Sequence, residues 1–296
     1  VQSVVAADSP WQIALTPQGY AYVSAAQGVA VVDLAARATV AVIPYRTTIP
    51  TVRYGEYRPG GMGIAAAPDG SRVYVGVYGP NGEGRLEVID TAARQVEAVY
   101  AVGIRPFGVL VSPDGREAYT LDHDSYGITV LDTAAGATRR IETTPLGRGA
   151  YDKPHYGSVL PNGHLLLPFQ GRVLLDLDPA TGRAAQRRLT ADTHQHGTAL
   201  TPDGQRLVVV GTGPAGNAYG PTSLTVVDVT GANERLLPLR RPHELVALSP
   251  DAAYAYLSGG YLLDGGWNGI TVVDLATGST RELPVPGAPV GVVVLP

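Results

Sequence analysis

RPFGVLVSPDGREAYTLDHD, residues 105–124, is a strand, a tight turn and a second strand written out in order. At its centre, Pro113 presets φ for the first corner of the turn and Gly115 supplies the corner that needs a positive φ. A small and β-branched run precedes the turn, and a Tyr- and Leu-containing run follows it. Five variants of the same cassette occur elsewhere: LTPQG at 15–19, AAPDG at 66–70, VLPNG at 159–163, LTPDG at 200–204 and LSPDA at 248–252. Each is completed by an apolar stretch ending in Asp, at Asp33, Asp90, Asp132, Asp176, Asp228 and Asp274. These aspartates read as turn caps, not as calcium ligands, because they hold one fixed place in the repeat.

The anchoring prolines, Pro17, Pro68, Pro113, Pro161, Pro202 and Pro250, are spaced by 51, 45, 48, 41 and 48 residues. Four short strands with their turns fit that period. Helical solenoids share it, but segments such as GITVLD (127–132) and SLTVVD (223–228) alternate in steps of two and are rich in Val and Thr, which is strand patterning. The expectation is therefore an all-β chain, a β-propeller of four-stranded blades forming one domain over residues 1–296. Innermost strands are expected near 11–16, 62–67, 107–112, 155–160, 196–201 and 244–249. Six blades with supplementary terminal strands (1–6 and 288–296) is the first reading, and a seventh blade closed by both termini is the alternative.

The repeat resembles that of the YVTN-type β-propellers, whose units carry a Ser-Pro-Asp-Gly turn, a Tyr-Val strand and a third strand ending Val-Ile-Asp. AAPDGSRVYVGVYG with LEVID (86–90) carries this resemblance most fully. It covers nearly the whole chain and implies the fold. Related propellers include lactone-opening and lactone-forming enzymes and streptogramin lyases, so function has to be read from the site.

The formal charge is −4, and no basic run offers the electropositive track that nucleic acid requires. No stretch reaches the ~18 apolar residues of a membrane helix. The absence of cysteine excludes disulfides, thiolate metal sites and cysteine nucleophiles. It is compatible with export, and a periplasmic or secreted location is slightly favoured. No Gly-x-Ser-x-Gly elbow supports a serine hydrolase.

Histidine placement is uneven. Counting back six places from each anchoring proline gives Trp11, Met62, Phe107, His155, His196 and Glu244, three bulky apolar groups followed by His, His and Glu. Five of the six histidines, His123, His155, His194, His196 and His243, map to the end of the blades where the innermost strands begin, and His164 maps to the opposite end. Imidazole is the commonest neutral metal ligand, and two imidazoles with a carboxylate leave positions open to water or substrate. His155, His196 and Glu244 are the expected ligands of a divalent ion, with His194 and His243 as substitutes if the register slips. Zinc or iron suits such a set, and copper is possible. The bland reading of each histidine is a hydrogen-bonded loop residue.

His123, Lys153 and Tyr156 are the candidate general acids or bases, and Lys153 or Tyr156 is alternatively an anchor for an anionic substrate. Asp122-His123-Asp124 also reads as an exposed turn. The Gly-rich stretches 211–220 and 259–269 match no phosphate cradle, and they place Tyr219, Tyr261, Asp264 and Trp267 where they could wall a pocket. Three classes stay open: a metal-dependent enzyme on a small organic substrate (lyase, isomerase, hydrolase or oxygen-using), a metal- or ligand-binding propeller without chemistry, and a protein-interaction scaffold.

Overall fold

The structure is a computed structural model of the 296-residue chain. It describes every residue except 1–3, 5, 50–58, 148–152, 170, 191–195, 213–220, 261–266, 288 and 296. The chain divides into two compact units, 1–143 and 144–296. Each holds three four-stranded antiparallel sheets, the six blades of a β-propeller.

In the first unit, blade one is β1 (Ile13–Leu15), β2 (Tyr20–Ser24), β3 (Gly28–Asp33) and β4 (Ala38–Pro44). Blade two is β5 (Gly60–Ala66), β6 (Arg72–Tyr78), β7 (Gly84–Asp90) and β8 (Gln95–Val102), and blade three is β9 (Pro106–Val111), β10 (Glu117–Asp122), β11 (Gly127–Asp132) and β12 (Thr138–Glu142). In the second unit, blade four is β13 (Ser158–Val159), β14 (Leu165–Phe169), β15 (Val173–Leu177) and β16 (Ala184–Arg188). Blade five is β17 (Thr198–Leu200), β18 (Arg206–Thr212), β19 (Thr222–Asp228) and β20 (Glu234–Pro238), and blade six is β21 (Val246–Leu248), β22 (Tyr254–Ser258), β23 (Gly269–Asp274) and β24 (Thr280–Pro284). The only helical turns among the described residues are two three-residue 3-10 turns, Pro80–Gly82 and His123–Ser125.

Each anchoring turn closes as its residues require. Gly19, Gly70, Gly115, Gly163 and Gly204 take φ between 69° and 89°, and Ala252 occupies the same corner at 53°. Asp69, Asp114, Asp203 and Asp251 accept a backbone N–H two residues on. Hydrogen bonds to the ionised carboxylate hold all four below the ordinary aspartate range. The third-strand aspartates Asp33, Asp90, Asp132 and Asp274 also accept backbone N–H groups of the turn that follows. Blade four corrects the expected position: Asp178 caps its turn through Ala180 N–H. Asp176 instead meets His164, with 2.8 Å between Oδ1 and Nδ1.

The core lies between neighbouring blades. On β18, Leu207 and Val209 pack toward blade four while Val208 and Val210 pack toward blade six. On β6, Val73, Val75 and Val77 face blade one and Tyr74 faces blade three. Both faces of the middle strands are buried, so they are nearly continuous in apolar residues and not half polar. Each such side chain contributes roughly 1.5–3 kcal/mol. The terminal stretch expected as a seventh innermost strand forms no strand over 289–295, although it docks on blade six. Ser258 Oγ donates to the Val290 carbonyl at 2.6 Å, as Ser24 Oγ donates to the Met62 carbonyl at 2.5 Å from blade one to blade two.

Candidate functional site

In blades four to six the innermost strand starts later than expected, at Ser158, Thr198 and Val246. His155, His196 and Glu244 therefore belong to the lead-in loops, not to the strands. In the first unit the matching Met62 and Phe107 lie on β5 and β9. All six equivalent positions are nonetheless buried, including His155 at 5%, His196 at 3% and Glu244 at 3% exposure.

The second unit brings three of the candidate side chains together. Glu244 Oε2 is 3.7 Å from His196 Nδ1, and the Tyr156 hydroxyl donates to Glu244 Oε1 at 3.4 Å. Main-chain bonds fix this meeting. Gly197 N–H donates to the Glu244 carbonyl at 2.7 Å, and Glu244 N–H donates to the Ser258 carbonyl at 3.1 Å. The approach is close at Gly197, where a Cβ would sit 2.5 Å from Leu245 Cδ2 and 3.0 Å from its Cα, so any larger residue would require Leu245 to shift. His155 adjoins Tyr156 and has Nδ1 3.3 Å from the Lys153 carbonyl oxygen.

His243, one residue from Glu244, turns elsewhere. Its Nε2 lies 2.7 Å from the Thr271 hydroxyl on β23, and its ring meets Trp267 edge-on at 6.1 Å. Burial pushes its pKa down to about 4, so it is neutral at pH 7. Trp267 also carries the Arg241 guanidinium over its ring at 4.9 Å. His194, Tyr219, Tyr261 and Asp264 lie outside the described residues. Among the described residues, no three His, Asp or Glu side chains are grouped so as to hold a metal ion.

His123 belongs to the first unit. The loop expected as an exposed turn is buried there, with Asp122 at 0% and His123 at 4% exposure. His123 Nδ1 is 2.7 Å from Asp124 Oδ1, and Asp124 Oδ2 is 3.2 Å from Arg105 Nη1. Asp122 accepts the hydroxyls of Thr120 and Thr129 at 2.7 and 2.6 Å. Desolvation still raises its pKa to about 6.

The histidine count missed a polar position inside the apolar third strand, three residues before its terminal Asp: Glu87, Thr129, Thr225 and Thr271. Glu87, Thr129 and Thr271 each serve the lead-in segment of their own blade. Glu87 accepts Arg46 N–H, Thr47 N–H and the Thr47 hydroxyl at 3.0, 2.7 and 2.6 Å. Thr129 Oγ1 accepts Gly103 N–H at 3.2 Å, and Thr271 meets His243. A lone Glu or Thr in LEVID, ITVLD and ITVVD was the available signal.

No family model matches the chain, and no curated protein matches it. Solved structures do. The chain is similar to a structure described as Kuenenia stuttgartiensis hydrazine synthase, with a TM-score of 0.78 and 19% identity over 97% of this chain and 89% of that one. It is also similar to the β-propeller domain of Cps50 (Swd1) from Myceliophteria thermophila, with a TM-score of 0.69 and 13% identity over 97% of this chain and 88% of that one. At these identities the likeness shows the propeller fold. No helix among the described residues is long and apolar enough to cross a membrane.

Proposed function

We propose that the second unit binds a small organic molecule at its lead-in loops and moves protons there with Glu244, His196 and Tyr156, as an enzyme of the lyase, isomerase or hydrolase kind. The observation that carries this reading is a buried carboxylate set between a phenol at 3.4 Å and an imidazole at 3.7 Å. A carboxylate in that setting accepts a proton from a substrate, and the imidazole or the phenol returns one to the leaving or rearranged group. Lys153, two residues before His155, supplies a cation for an anionic substrate group.

A second reading keeps the divalent ion, because His155, His196 and Glu244 hold equivalent places in three successive blades. Here His196 and Glu244 are two donors, and the third is His194, which lies outside the described residues. Zinc or iron suits that set, and copper follows if further imidazoles join it. Such an ion would activate water or polarise a carbonyl.

One experiment separates the readings. Metal content is measured on purified protein before and after reconstitution with zinc or iron(II), and turnover of a panel of small lactones, carbonyl compounds and hydroxy acids is measured on the same samples. His196→Ala, Glu244→Gln and the control His164→Ala are carried through alongside wild type. Turnover without a stoichiometric ion, reduced at least 100-fold by Glu244→Gln, supports proton transfer. A stoichiometric ion lost at least tenfold with His196→Ala but kept in the control supports the metal reading. If neither an ion nor turnover responds to Glu244→Gln and His196→Ala, both readings fall and a scaffold remains.

A further inference from the structure

An open cleft of about 420 Å³ lies in the first unit. Arg46, Thr47 and Thr48 come to it from the segment after β4, Glu83 and Arg85 from the start of β7, and Val99 from β8. Its volume falls in the range of small-molecule sites.

The cleft is held in shape from beneath. Glu87 is fully buried, and it fixes the backbone of Arg46 and Thr47 by accepting both N–H groups, with the Thr47 hydroxyl as a third donor. Arg85 is two residues from Glu87 on β7 and so shares its face of the sheet, and Val99 is the cross-strand partner of Glu87. Leaving a buried carboxylate in place costs free energy unless its lone pairs are used. Here they are used to hold an arginine-bearing segment still.

The two guanidiniums carry five N–H donors each. Arg46 uses Nη1 on the Glu97 carbonyl at 3.3 Å, and Arg85 uses Nη1 on the Gly84 carbonyl and Nη2 on Glu83, both at 2.9 Å. The ionised lining is thus two cations against one anion, with the Glu87 carboxylate beneath it already occupied by its three donors. The Glu83 side chain is 57% exposed, so it can swing into solvent.

We propose that this cleft binds a small anion carrying a carboxylate or phosphate group, which takes up donors of Arg46 and Arg85 and displaces Glu83 from Arg85. Guanidinium forks suit the planar or tetrahedral oxygens of either group. Glu83 acts as a built-in competitor whose removal leaves the arginines to the ligand. The site uses no residue of the second unit and is independent of the function proposed there.

Inorganic phosphate and succinate are the two probes, titrated by calorimetry and by thermal shift at constant ionic strength against chloride. Saturable binding of at least one is expected, weakened at least tenfold in Arg46→Gln and in Arg85→Gln. Glu83→Gln is expected to bind several-fold tighter. Preference between the probes distinguishes a phosphate from a carboxylate ligand. All three substitutions are at partly or largely exposed side chains, and circular dichroism of the unliganded variants confirms folding. Equal binding in wild type and both arginine variants, weaker binding in Glu83→Gln, or no saturable binding of either probe overturns the proposal.

Discussion

Ala252 sits where five equivalent turns place glycine, with φ at 53°. A Cβ in the left-handed region crowds the following carbonyl and costs roughly 1–2 kcal/mol. The turn closes regardless, with Ala252 N–H donating to the Ser249 carbonyl at 2.8 Å, so the neighbouring strands impose the conformation. Glycine would adopt it without that strain but would add freedom to the unfolded chain. The strain is the larger effect. Ala252→Gly is expected to stabilise by about 1 kcal/mol, which at this chain length raises the melting temperature by about 2 °C. Calorimetry of the two proteins checks this, and a lower melting temperature in the variant would show the corner is not strained.

At the scale of the element, the tie between lead-in segment and third strand differs chemically from blade to blade, and the difference has a sign in pH. His243 has its folded pKa depressed to about 4 from 6.5, so the fold favours the neutral ring. Its contribution is complete above about pH 6.5 and is lost as pH falls through 4, a loss on the order of 3 kcal/mol. Asp122 is raised to about 6 from 3.8, so its contribution is complete below 3.8 and is lost as pH rises through 6. Urea unfolding between pH 4 and pH 8 should therefore show both effects on the acid limb, with opposite signs: His243→Gln removes a rise in stability between about pH 4 and 6.5, and Asp122→Asn removes a fall between about pH 4 and 6, so that stability climbs more steeply with pH in the latter. An unchanged acid limb in His243→Gln would mean that His243 is not held neutral. The same elements show what the sequence made legible. The turns were readable because each carries Pro, and five of the six carry Gly, at fixed places. Glu244 beside His196 was readable only by counting from those turns. His243 looked like a substitute ligand because it adjoins Glu244, yet its side chain goes to Thr271. The arginine cleft was hidden because Arg46 and Arg85 come from different strands' ends, and nothing periodic connects them.

For the whole chain, the C-terminal stretch fills a neighbour's place on blade six. Gly260 N–H donates to the Pro289 carbonyl at 2.9 Å and Ser258 to that of Val290. Deleting 288–296 leaves both donors without these acceptors, at about 1–3 kcal/mol for each that stays buried. A lower urea midpoint and faster proteolysis are expected for the truncated chain, and an unchanged midpoint would show that the stretch carries no stability. The Glu87 tie bears on how such a chain can be cut and rejoined. In blades two, three and six the segment before the blade is pinned by that blade's own third strand, so the portable module there runs from the end of one outer strand to the end of the next. Its seams lie after Pro44, Val102 and Pro238, not at the Pro-Asp-Gly turns where the repeat is most visible. A recombinant joined at those turns would part Glu87 from the backbone it holds and inherit a buried carboxylate with nothing to accept.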